Sequence, residues 1–157
     1  MGRLSPPIWR PIWRRYWAMI RRMGKALTLA AIGGGAYIAI ELLWRGHTHW
    51  TMAVLGGLCF VLIGAINEYI PWDIPLILQG VLGAAIVTLA ELAAGVVLNL
   101  WLGLGIWDYS TRPLNLWGQI CLEYAMLWVP LSVVAVVLDD WLRYWLWAED
   151  RPYYTLF

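Results

Sequence analysis

The sequence predicts an all-α integral membrane fold, a bundle of four spanning helices, on three observations. Hydrophobic residues make up 62% of the 157 and charged residues only 13%, where soluble domains carry about 45–50% and about 25%. Four apolar runs, at 26–44, 51–67, 74–101 and 117–138, each come near or exceed the roughly 20 residues that cross the hydrocarbon. Seven of the 11 basic residues lie in the first 25 positions, and no acidic residue precedes Glu41. A soluble domain of this size could not hide so much apolar surface. An ordinary soluble enzyme, a disordered chain and a collagenous one are all excluded.

The elements follow in order. Pro6, Pro7 and Pro11 break residues 1–11. Residues 12–25 can form a helix with Ile12, Trp13, Tyr16, Trp17, Ile20 and Met23 on one side. Arg14, Arg15, Arg21, Arg22 and Lys25 share the other side. This pattern predicts an amphipathic helix lying in the interface, with its arginines toward anionic headgroups. Three aromatics opposite the basic face, just before a span, argue against nucleic acid as the partner. The basic region is too long for a cleaved signal peptide, and the run after it carries Gly33 to Gly35 and then Glu41. The basic cluster puts the N-terminus in the cytoplasm. Four crossings return the C-terminus there, in a bacterial-type plasma membrane.

Short linkers join the spans. Arg45 to Trp50 and Trp107 to Asn115 face outside on this reading and hold just two basic residues, Arg45 and Arg112. Residues 139–157 mix Trp141, Tyr144, Trp145 and Trp147 with six charged residues. They read as the fourth helix emerging into the headgroups and then running along the surface. The organisation is therefore a basic segment at 1–25, a membrane domain at 26–138 and a Trp/Tyr-rich cytoplasmic tail at 139–157. Gly33, Glu41 and Leu42 match Gly83, Glu91 and Leu92 at a spacing of 50, a faint parallel repeat of two hairpins. Gly57, Gly64, Gly80, Gly83, Gly103 and Gly105 sit at spacings that suit close helix packing.

Charged groups at membrane depth cost about 2.5–3.5 kcal/mol or more, so each needs a reason. Glu91 lies deep in the third run, with Thr88, Gly95 and Asn99 on the same helical stripe. It is expected to be neutral, paired or hydrated, and to donate a hydrogen bond across a helix interface. It is either a proton- or ion-binding carboxyl or helix glue. Glu41 stands one turn before Arg45, in the favourable order for a local ion pair. Glu123 is close enough to the interface to reach back out. His47 and His49 read as a solvated loop and Cys59 and Cys121 as small buried residues, so no metal site is expected. The chain has no G-x-x-x-x-G-K-[ST] loop, no G-x-S-x-G elbow and no H-E-x-x-H. Neither an enzyme activity nor a cofactor is expected.

The most distinctive stretch reads Glu91-x-x-x-Gly95, then Trp107-Asp108-Tyr109-Ser110, Asn115-x-x-Gly118, Ile120-Cys121-Leu122 and Trp128. On the residues themselves, Trp107 and Tyr109 would seat at the outer interface. Asp108 and Ser110 would form turns, and Asn115 would cap the fourth helix. Over about residues 84–130 the stretch resembles the putative ABC-transporter type IV permease family, also labelled CmpB-like. The resemblance implies a small transporter-like or permease-like membrane subunit, with Glu91, Trp107, Asp108, Tyr109, Ser110, Asn115 and Gly118 as its motif positions. So small a bundle leaves little room for a path inside one copy. A homo-oligomer or an unrelated partner is expected, and ATP hydrolysis would need a separate ATPase. The rival readings are a structural or interaction protein (an anchor, assembly or membrane-remodelling factor) and, behind it, a hole-forming protein.

Overall fold

The computed structural model describes residues 10–71 and 74–156, with side chains from Trp13 onward. The proline-broken start at residues 1–9 lies outside the described residues, as do Trp72 and Asp73 between the second and third apolar runs. The helices are α1 (Arg10–Arg45), α2 (Trp50–Gly64), the single turn α3 (Ile66–Tyr69), α4 (Leu76–Gly95) and α5 (Leu122–Trp147). A π-helical segment, Val96–Trp101, extends α4. A two-stranded hairpin, β1 (Asn115–Leu116) and β2 (Ile120–Cys121), precedes α5. Four helical stretches, Trp13–Arg45, Trp50–Tyr69, Leu76–Trp101 and Leu122–Trp147, are long and apolar enough to cross a membrane. The chain is an integral membrane protein.

The helices pair as two hairpins, α1 on α2 and α4 on α5, and α2 touches both members of the second. Glycines set the spacing. A Cβ on Gly33 would overlap Phe60, and one on Gly57 would overlap the Ala30 carbonyl. Gly80 faces Val133 and Val129, and Gly83 faces Ser132. Without a hydrophobic drive between helices in lipid, such close approach is what holds them. Gly103 and Gly105 do not share this role. They adopt φ +67° and +58° with open space around them, in the loop after the π segment.

Several boundaries differ from the sequence reading. Residues 12–25 are not a separate helix but the start of α1, which runs unbroken for 36 residues. At about 1.5 Å per residue that is about 54 Å, well beyond a hydrocarbon core of about 30 Å. Gly24 alone does not stop it, because one glycine costs only about 1 kcal/mol. The fourth helix begins at Leu122 rather than 117, since the hairpin occupies the intervening residues. It continues through Pro130 and past 138 to Trp147. The rest of the tail returns to the start of α4, where the Leu76 N–H donates to the Thr155 carbonyl at 2.7 Å.

Candidate functional site

Glu91 projects from α4 and is 4% exposed. Its Oε2 accepts a hydrogen bond from the Trp128 indole N–H at 3.0 Å, across the α4–α5 interface. The interhelical bond expected of Glu91 therefore exists, but the carboxyl accepts in it where a donor was expected. The Trp128 ring stacks on Tyr37 of α1, with centroids 6.1 Å apart. Glu91 lies on the wall of a cavity of about 140 Å³ bordered by α1, α2, α4 and α5. Among the lining residues it is the single charged one; Tyr37, Cys59, Trp128 and Ser132 add the polar atoms, and the rest are apolar or glycine. Ser132 is 1% exposed, and its Oγ has no hydrogen-bond partner among the described residues. No ion pair joins Glu91 to a basic side chain among the described residues.

The other residues of the predicted stripe go elsewhere. Thr88 is half-buried and lies off the cavity wall. Asn99 turns toward the loop, donating to the Trp107 carbonyl at 3.1 Å and to Gln119 Oε1 at 2.9 Å. It also accepts from the Ile106 N–H at 2.7 Å. Glu41, 6% exposed, accepts from Arg45 and from the Thr48 hydroxyl. The i,i+4 spacing predicted the first partner. His49 serves as the N-cap of α2, and no group of metal-ligating side chains exists among the described residues.

The six motif residues between Trp107 and Gly118 form one knot. Asp108 accepts from the Ser110 N–H at 2.8 Å and from its hydroxyl at 3.0 Å. Asn115 donates to the Ser110 and Arg112 carbonyls at 3.2 and 2.7 Å and accepts from the Gly118 N–H at 3.0 Å. It is thus a turn former inside the hairpin and not the cap of α5, whose N-cap is Cys121. Gly118 stands at φ +69°, the left-handed region that glycine enters freely. Trp107 is packed inside the protein, 5% exposed, and donates to the Gln119 carbonyl at 2.9 Å. Tyr109 stacks on Tyr124 at 4.8 Å, and burial lifts its phenol above the usual range. Gln119, 3% exposed, ties this knot to Asn99 and contacts Gly95.

A second polar cluster closes the opposite end, where the tail had been placed among headgroups. Asp139, Asp140 and Arg143 of α5 are buried, at 0%, 5% and 9% exposure. Arg143 Nε donates to Asp139 at 2.5 Å, and its guanidinium also pairs with Glu68. Asn67 donates to Asp140 at 2.7 Å, and the Tyr154 hydroxyl to the same oxygen at 3.1 Å. Burial, with Asp140 beside it, raises the Tyr154 phenol and keeps it a donor. Asp139 fits because Gly64 of α2 leaves room for its carboxyl. The i,i+4 pair Asp139–Arg143 was visible in the sequence; its remote partners were not.

A family model described as Putative ABC-transporter type IV matches residues 35–149. The match takes in Glu91, the Trp107–Gly118 knot and most of the cavity and of the second cluster, with Gly33 and Tyr154 outside it. No curated protein and no solved structure matches the chain.

Proposed function

The chain belongs to the family described as Putative ABC-transporter type IV, and on that premise we propose that it is a small transporter-type subunit whose intramembrane binding site is the Glu91 cavity. One observation carries the reading. A carboxyl at membrane depth faces a cavity between all four spans, with one indole donor and no paired cation among the described residues. The other buried carboxyls each have a paired arginine or two donors, as Glu41, Asp139 and Asp140 do, whereas Glu91 has a single neutral donor for a buried group that is costly to leave uncompensated. Here Oε1 is available for a proton or a positively charged cargo.

The other parts follow from the same premise. The chain has no phosphate-binding loop, so ATP hydrolysis falls to a separate ATPase, and no enzyme activity is assigned to this subunit. A single bundle with one small cavity supports a homo-oligomer or a membrane partner around it. The basic end of α1 supports a cytoplasmic position for both termini, in a bacterial-type plasma membrane. There Arg14, Arg21 and Arg22, with Trp13, Trp17 and Trp147, line a groove of about 1020 Å³, which suits anionic headgroups. The test is proton flux into liposomes that hold the purified protein and an entrapped pH-sensitive dye. Glu91→Gln should abolish the flux while leaving the oligomer intact. A Gln variant with full flux would overturn the reading.

A further inference from the structure

The site proposed above has walls selective enough to name its ligand class. We propose that the Glu91 cavity takes an amphipathic organic cation, a small ammonium head carried on an apolar body, entering sideways from the bilayer between α1 and α5. The inference rests on the Glu91 cavity being a binding site.

Size comes first. A cavity of about 150 Å³ holds a benzene-sized guest, so about 140 Å³ admits a trimethylammonium head but not a large ligand. Charge comes second, since Glu91 is the one charged lining residue and its Oε1 has no partner among the described residues. Wall chemistry then separates the possible cations. An inorganic cation such as Ca²⁺ needs about six to eight oxygen ligands. This cavity offers few oxygens beyond Glu91 and Ser132, and Leu55, Ile63, Val87 and Leu131 wall the remainder. An alkylammonium has little hydration to replace. It also gains from aromatic rings, which attract cations lying within about 6 Å, and Tyr37, Phe60 and Trp128 all line the space.

Access is the last step. The principal packing partner of α1 is α2 and that of α5 is α4, while α1 and α5 meet at the Tyr37–Trp128 stack and where Lys25 lies over Trp147. The cavity edge at this gap is formed by Ile40 and Val134, which are 50% and 61% exposed on the outer surface of the bundle. An apolar body can therefore stay in the lipid-facing gap while the charged head reaches Glu91.

The test is binding of benzyltrimethylammonium to the full chain in zwitterionic nanodiscs, with neopentylbenzene as the neutral probe of the same shape. The cation should bind at least tenfold more tightly than the neutral probe. Glu91→Gln should remove that preference and leave neutral binding unchanged. Val134→Trp, on the outer surface, should slow cation entry severalfold without disturbing the fold. Equal binding of the two probes, no binding of either, or a preference that survives Glu91→Gln would each overturn the ligand class. If the cation fails to bind while proton flux still needs Glu91, the ligand class falls and the transport reading stands. If the cation binds and flux ignores Glu91, the transport reading falls alone.

Discussion

Replacing Arg143 with methionine isolates the energetics of the polar end of the bundle. Arg143 serves two carboxylates of very different standing. Asp139 is completely buried and receives Arg143 Nε at 2.5 Å, while its Oδ1 already lacks a partner. The Glu68 side chain is 51% exposed. Removing one member of a buried ion pair costs about 3–5 kcal/mol, because the other charge is left uncompensated. An exposed pair contributes about 0–1 kcal/mol. Arg143→Met should therefore destabilise the protein by about 3–5 kcal/mol, and Glu68→Ala by no more than about 1 kcal/mol. Replacing both buried members, as Asp139→Leu with Arg143→Met, removes the stranded charge and should recover most of the loss. The assay is SDS titration from mild-detergent micelles, followed by near-ultraviolet circular dichroism. An Arg143→Met variant within 1 kcal/mol of wild type, or a double variant no better than the single one, would refute the reasoning; the threshold is roughly the value of an exposed pair.

Three further outcomes are expected. Gly118→Ala should cost about 1–3 kcal/mol, because its φ is +69° and the new Cβ would lie 2.8 Å from Asp108 Oδ1. Gly103→Ala, at a similar φ in open space, should cost less, and thermal midpoints in detergent compare the two. Trp128→Phe removes the indole donor to Glu91 and should cost about 0.6–1.7 kcal/mol, the span found for interhelical hydrogen bonds; SDS titration reads it. For topology, a cysteine at His47 should label from outside intact cells and one at Tyr69 should not, with the reverse pattern inverting the orientation.

Element existence was legible in the sequence because hydropathy reports it directly, and the four spans stand where apolar runs come near or exceed the membrane width. Element ends were less legible because the same residue types serve two purposes. Asp139, Asp140 and Arg143 read as charges seeking water, yet the fold brings them Glu68, Asn67 and Tyr154 from elsewhere in the chain. With those partners the helix can keep its charges buried and extend to Trp147. Trp128 is 37 residues from Glu91, so no local period could pair them. Asn115 was ambiguous for a chemical reason. Its amide can cap a helix or tie a turn equally well, and the positive φ at Gly118 decides for the turn. Gln119 carried a usable signal, a polar residue ahead of an apolar run, but its partner Asn99 lies 20 residues away.

The four buried carboxyls of the described residues differ in how the fold satisfies them, and the difference singles out one. Glu41 has Arg45 and the Thr48 hydroxyl. Asp139 has Arg143. Asp140 has Asn67 and Tyr154. Each of these ties segments together near an end of the bundle. Glu91 alone has a single neutral donor, and it sits on a cavity between the four spans rather than in a closed cluster. Burying a charge at that depth without a partner costs about 2.5–3.5 kcal/mol or more. A chain able to place arginine against Asp139 could have compensated Glu91 in the same way. On the proposed reading, leaving it without a cation makes the carboxyl exchangeable, because whatever positive species arrives gains the interaction that no side chain among the described residues occupies, while the two tied ends hold the helices in place.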